Sequence, residues 1–161
     1  MLTEVLWMGV REAGKLMPCP ATVIISILDQ FEEHARPEQL NEFADHLVLD
    51  FVDTFEKPGE PEWPDQLTKE ENKSACTWDD DRAPELADAQ KIAAFVATHH
   101  ATSKPTKLVV HCHGGVSRSA AVAKWVGATY GIPMPQLGDG IHRLEGANPR
   151  VLRLLQKTKR G

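Results

Sequence analysis

The densest chemistry in the chain lies in nine consecutive residues, His111-Cys112-His113-Gly114-Gly115-Val116-Ser117-Arg118-Ser119. A Cys followed by five residues and an Arg is weak evidence alone. With 3 Cys and 8 Arg in 161 residues, about 0.15 such pairs arise by chance. Adding the His before Cys112, Gly115 and Ser119 lowers the coincidence to the order of one in a hundred thousand. A loop of this kind, if it joins a strand end to a helix start, turns main-chain N–H groups inward under the positive helix pole. That is a cradle for a dianion such as phosphate. Its walls would be the backbone of His113, Gly114, Gly115, Val116 and Ser117, with the two glycines letting the chain bend tightly against the ligand. Arg118 can close the ring with two parallel hydrogen bonds, which Lys cannot reproduce. Cys112 sits at its base, where such a field favours thiolate over thiol and makes the sulfur a nucleophile for in-line attack.

The elements that must position this loop are legible on either side of it. Runs rich in β-branched residues at 22–28, 46–52 and 107–111 read as buried strands, and a weaker run at 4–8 as an edge strand. Leu86, Ala89, Ala93 and Val96 recur at helical spacing in a helix that Pro84 opens and that continues to about residue 100. A second helix over 118–130 carries Val122, Trp125, Val126 and Thr129 on one stripe, and Gly131 and Pro133 stop it. Asn148-Pro149 marks a last helix with Val151, Leu152, Leu154 and Leu155 on its apolar face; its basic end, 157–160, suits the negative helix pole. Strands alternating with helices predict an α/β fold, a central mostly parallel sheet flanked by helices. The Cys loop then falls between the strand at 107–111 and the helix at 118–130.

The whole chain, 1–161, reads as one domain with an acidic insert at about 54–83. Pro58, Pro61 and Pro64 interrupt that stretch, and residues 53–81 carry ten acids against three bases. A loop this long is often a lid or recognition insert, or else a tolerated surface insertion. Hydrophobic residues make up 42% and charged residues 25%, with a formal net charge of −5. That balance excludes a disordered chain and disfavours nucleic acid or anionic membrane as partner. No apolar run reaches the roughly 18 residues a membrane helix needs, and the first residues lack a signal peptide's pattern. Cys19, Cys76 and Cys112 form no CxxC pair, which points to reduced thiols and a cytoplasmic setting. His111 and His113 flank a Cys, but no second cluster at zinc spacing follows, so neither metal nor cofactor is expected.

The stretch from His111 to Ser119 resembles the HCxxGxxR[ST] signature of the cysteine-dependent protein tyrosine phosphatases, with the small dual-specificity branch most similar. The resemblance covers the loop specifically and, in order of elements, about 47–155. It implies the family's three-layer fold and hydrolysis of phosphomonoesters on a phosphoprotein or phosphopeptide, through a thiophosphate intermediate. Carried over, Cys112 is the nucleophile and Arg118 the phosphate clamp and transition-state stabiliser. His111 orients the loop, Ser119 assists departure of the sulfur, and Asn148 braces the loop. His113 receives no catalytic role. The resemblance also implies an Asp as proton donor and later base. Topology offers two sources on the sheet edge that carries the loop: Asp53, directly after a strand and favoured because the resemblance places the family's acid one strand upstream, and the run Asp79-Asp80-Asp81. The loop contains no Lys of the kind phosphoinositide-directed relatives tend to have. Two alternatives stand beside this reading: a non-catalytic phosphate-reading module, and rhodanese-like sulfur transfer, which His111 and Ser119 disfavour. Tyr-only against dual specificity and oligomeric state are left open by the sequence.

Overall fold

The computed structural model describes residues 1–158. Of the basic end expected at 157–160, Lys159 and Arg160 lie outside the described residues. Four strands, β1 (Leu2–Met8), β2 (Thr22–Leu28), β3 (Asp45–Asp50) and β4 (Thr106–His111), form one sheet in the order β1-β4-β2-β3. All three pairings are parallel, so the sheet expected to be mostly parallel is wholly so. Every C-terminal strand end therefore shares one edge, where ligands of such sheets bind.

Side-chain alternation along the strands feeds two cores. Val23, Ile25 and Ile27 of β2 join Val5, Trp7, Leu108 and Val110 beneath three helices, α3 (Leu86–Ala101), α4 (Arg118–Tyr130) and α5 (Pro149–Lys157). On the other face Ile24 and Val109 pack with Met8, Ala13, Leu40 and Phe43. That face is covered by the one-turn helix α1 (Val10–Ala13) and the 3₁₀ turns Glu33–Ala35 and Leu40–Glu42. The result is a three-layer α/β fold, thick on one side and thin on the other.

Several boundaries follow the local signals. Gly131 caps α4 in the left-handed region at φ 66°. Asn148 caps α5, its side chain accepting from the Val151 N–H, with Pro149 in the first turn. The strand expected over 46–52 ends at Asp50. Its partner β2 ends opposite, at Leu28, and the Val52 N–H turns instead to the Arg82 carbonyl at 2.8 Å. The helix expected from Pro84 begins at Leu86, because Glu85 and Asp88 form a reciprocal capping box just after the proline.

The acidic insert is more ordered than its composition suggests. It contains a further helix, α2 (Lys69–Ala75), opened by a Thr68/Glu71 capping box. It is also bolted to α5. The fully buried Arg150 donates to the carbonyls of Pro84, Trp63 and Pro64 and to Glu56 Oε1. Arg153 adds bonds to Glu56 and Asp65, and Lys157 another to Asp65. Burial pushes the Glu56 carboxyl up, but Arg153 and Arg150 together outweigh it and hold Glu56 below its usual range.

Candidate active site

The loop between β4 and α4 begins where β1 and β4 run side by side. The Cys112 N–H donates to the Met8 carbonyl at 3.2 Å, and the Val10 N–H to the His113 carbonyl at 3.0 Å. Two glycines permit this approach. Gly115 has φ +75°, and a Cβ there would lie 2.4 Å from the Gly9 nitrogen; a Cβ on Gly9 would lie 2.8 Å from the His113 oxygen. The loop is thus pressed into a tight turn by the end of β1, a strand readable only weakly in the sequence.

Cys112 is 2% exposed, and two polar groups meet its sulfur. The Gly115 N–H reaches Sγ at 3.3 Å, and Ser119 Oγ lies 3.2 Å away. Arg118, 5% exposed, spends Nη1 on the Asp29 carboxylate at 2.7 Å and the Phe51 carbonyl at 2.8 Å. Those two bonds fix the plane of the guanidinium. Its Nε is buried without a partner among the described residues, a costly state unless a ligand supplies the acceptor. The sequence reading missed Asp29; its place at the end of β2, on the shared strand edge, was the available signal.

Asp53 stands over the same loop. Its Oδ1 accepts from Ser117 Oγ at 2.6 Å and from Asn148 Nδ2 at 2.7 Å. Asn148 also donates through Nδ2 to the Thr54 carbonyl and through its main-chain N–H to the Ser117 carbonyl, both at 3.0 Å. The α5 cap residue therefore ties Asp53 to the start of α4. Asp53 and Asp29 share a cavity of about 360 Å³ with Phe55, Cys76, Trp78 and Asp81. Burial pushes the Asp81 carboxyl above its ordinary range, and the charge of Asp29 adds to that. Asp79 and Asp80, its neighbours in the acidic run, are exposed.

His111 is fully buried beneath the loop, with Nε2 2.6 Å from Ser26 Oγ and Nδ1 3.3 Å from the Cys112 carbonyl. Burial pushes its pKa down to about 4, and the guanidiniums of Arg36 and Arg118 act in the same direction. His113 points outward and meets Glu32 Oε1 at 3.0 Å. Gly114 and Val116 crown the loop, exposed, and Ser117 is buried at the start of α4. No cluster of three or more metal-ligating side chains occurs among the described residues, and no helix among them is long and apolar enough to cross a membrane.

No family model and no curated protein matches the chain. Among solved structures it is similar to the human tyrosine phosphatase-like serine/threonine/tyrosine-interacting protein, at 20% identity and a TM-score of 0.46. That likeness covers 86% of this chain and 76% of the other. It is also similar to Tk-PTP in the active form, at 16% identity and a TM-score of 0.44, covering 88% and 86% of the two chains.

Proposed function

We propose that the chain is a cysteine-dependent phosphomonoester hydrolase of the protein tyrosine phosphatase type, acting on phosphoprotein or phosphopeptide. The observation that carries this reading is the arrangement at the loop: the Gly115 N–H and the Ser119 hydroxyl on the Cys112 sulfur, and in the same loop a buried Arg118 Nε with no partner among the described residues. The loop amides of 113–117 and the free edge of Arg118 hold three phosphoryl oxygens, and the sulfur attacks phosphorus opposite the leaving oxygen. The P–O bond breaks as the S–P bond forms. Asp53, held over the loop through Oδ1, delivers a proton from Oδ2 to the departing oxygen. In the second half Asp53 takes a proton from water as it attacks the thiophosphate, and the Ser119 hydroxyl gives a hydrogen bond, keeping its proton, to the sulfur as the S–P bond breaks. Phosphate leaves and the thiolate is restored.

Two features bear on the substrate. Phe55 and Trp78 line the cavity that holds Asp29 and Asp53, Val116 crowns the loop, and all three are exposed; apolar surface of this kind suits the ring of an aryl phosphate. The insert beside the site carries ten acids against three bases over 53–81, a balance that disfavours a polyphosphate or an anionic lipid headgroup. Asp81 is the second candidate for the proton donor, because its burial favours the protonated form.

The test is turnover of p-nitrophenyl phosphate and a phosphotyrosyl peptide in the presence of a metal chelator. Hydrolysis by the wild type that vanishes in Cys112→Ser supports the reading. Phosphopeptide binding without turnover would make the chain a phosphate reader. Transfer of sulfur from thiosulfate to cyanide would make it a sulfurtransferase.

A further inference from the structure

The loop is braced from the thin face of the sheet by a group that plays no direct part in the chemistry. Arg36 follows the first 3₁₀ turn and is 8% exposed, with its guanidinium folded under the sheet edge. Nη1 donates to the Ser26 carbonyl at 2.9 Å and to Ser26 Oγ at 2.7 Å. Nη2 donates to the Leu49 carbonyl at 3.2 Å and pairs with Asp50, and Nε reaches Glu33 Oε2 at 2.9 Å. Ser26 has no exposed surface and lies between Arg36 and His111, its Oγ 2.6 Å from His111 Nε2.

Counting protons along this chain leaves one arrangement in which every group is satisfied. His111 is neutral near pH 7, so its ring carries a single proton. The Cys112 carbonyl beside Nδ1 can only accept, so the proton must sit on Nδ1 for that contact to be a hydrogen bond. Nε2 is then a bare acceptor. The Ser26 hydroxyl, already accepting from Arg36, turns its one proton to Nε2. The opposite tautomer would set the Nδ1 lone pair against the carbonyl oxygen in a site closed to water, a costly pairing of acceptors.

We infer that Arg36 and Ser26 are positioning residues, a buried donor relay that holds His111 as the Nδ1–H tautomer and through it fixes the Cys112 carbonyl and the turn of the loop. The kinetic consequence rests on the phosphatase reading; the tautomer does not. Ser26 comes from β2, Arg36 from the connection to β3 and His111 from β4, so the relay ties the loop to the β4-β2-β3 part of the sheet.

The experiment is long-range proton–nitrogen correlation NMR of the histidine rings in the ¹⁵N-labelled full chain near pH 7, with His111 assigned by its loss in His111→Gln. The expected wild-type signal is one tautomer, protonated on Nδ1, with Nε2 unprotonated. Ser26→Ala removes the hydroxyl that donates to Nε2 and shifts His111 towards the Nε2–H form, while Ser26→Thr keeps the hydroxyl and restores the wild-type pattern. In turnover, Ser26→Ala lowers kcat about 10-fold with KM changed less than about 2-fold, and Ser26→Thr recovers most of it. A wild-type ring protonated on Nε2, or a Ser26→Ala spectrum identical to wild type, overturns the relay. The wild-type spectrum decides the matter even if Ser26→Ala does not fold. Absence of phosphatase activity with the Nδ1–H signal intact would sink the enzyme reading and leave the relay standing.

Discussion

Replacing Asp53 by Asn tests the proton donor with little disturbance of shape. The Asn side-chain oxygen can still accept from Ser117 and Asn148, the two donors that reach Oδ1 at 2.6 and 2.7 Å, so the ties to the loop and to α5 survive. What is lost is a transferable proton at the second oxygen. A positioned general acid contributes about 10²–10⁴ in rate, or about 3–5 kcal/mol of barrier. In kcat/KM that loss is read at the step in which the leaving oxygen departs; the loss of Asp53 as base for water is read in kcat. For a substrate such as phenyl phosphate, whose leaving group is strongly basic, kcat/KM of Asp53→Asn should fall by about 10²–10⁴. For dinitrophenyl phosphate, whose leaving group departs as a stable anion, the fall should be about 10-fold or less. The assay is kcat/KM across a series of aryl phosphates, plotted against leaving-group basicity for wild type, Asp53→Asn and Asp81→Asn. A steeper slope in Asp53→Asn alone is the expected result. A uniform loss across the series would falsify the assignment, and a steeper slope only in Asp81→Asn would move the donor to Asp81.

Three other outcomes follow from contacts elsewhere. Arg118→Lys keeps the charge but loses the unpaired Nε–H and the two bonds through Nη1 to Asp29 and Phe51; kcat/KM should drop by about 100-fold or more, and a smaller loss would mean that the fork is not used. Arg150→Met strips a fully buried guanidinium from Glu56 and from the carbonyls of Pro84, Trp63 and Pro64. A destabilisation of about 3–5 kcal/mol in urea unfolding is expected, with the insert becoming the first segment cut by protease. The depressed Glu56 carboxyl sets a pH dependence of known sign: its contribution is fully present above its ordinary value of 4.5 and is lost as pH falls through the lower folded value. Urea midpoints measured from pH 6 down to pH 3 should therefore decline less steeply in Glu56→Gln than in wild type. Parallel slopes would remove Glu56 from that role.

Residues close in sequence were the easiest to read. Cys112, Arg118 and Ser119 lie in one strand–turn–helix unit whose geometry is local, so their spacing alone forecasts a cradle, and the structure brings Ser119 onto the Cys112 sulfur as that spacing requires. The cap at Asn148 was legible for the same reason. The Thr68–Glu71 capping box was present in the sequence as well, but the prolines and acids around it made the segment read as loop.

Other features were decided by tertiary structure. Asp29 on Arg118, Asn148 on Asp53, Ser26 and Arg36 on His111, and Gly9 against Gly115 are pairs that no local periodicity relates. They meet because the parallel order β1-β4-β2-β3 places the strand ends along one edge, and because α5 packs back against α4 and α3. Covalent geometry sets the distance between a cysteine and an arginine one short turn apart. Only strand register and helix packing set which remote side chains hold that turn in shape.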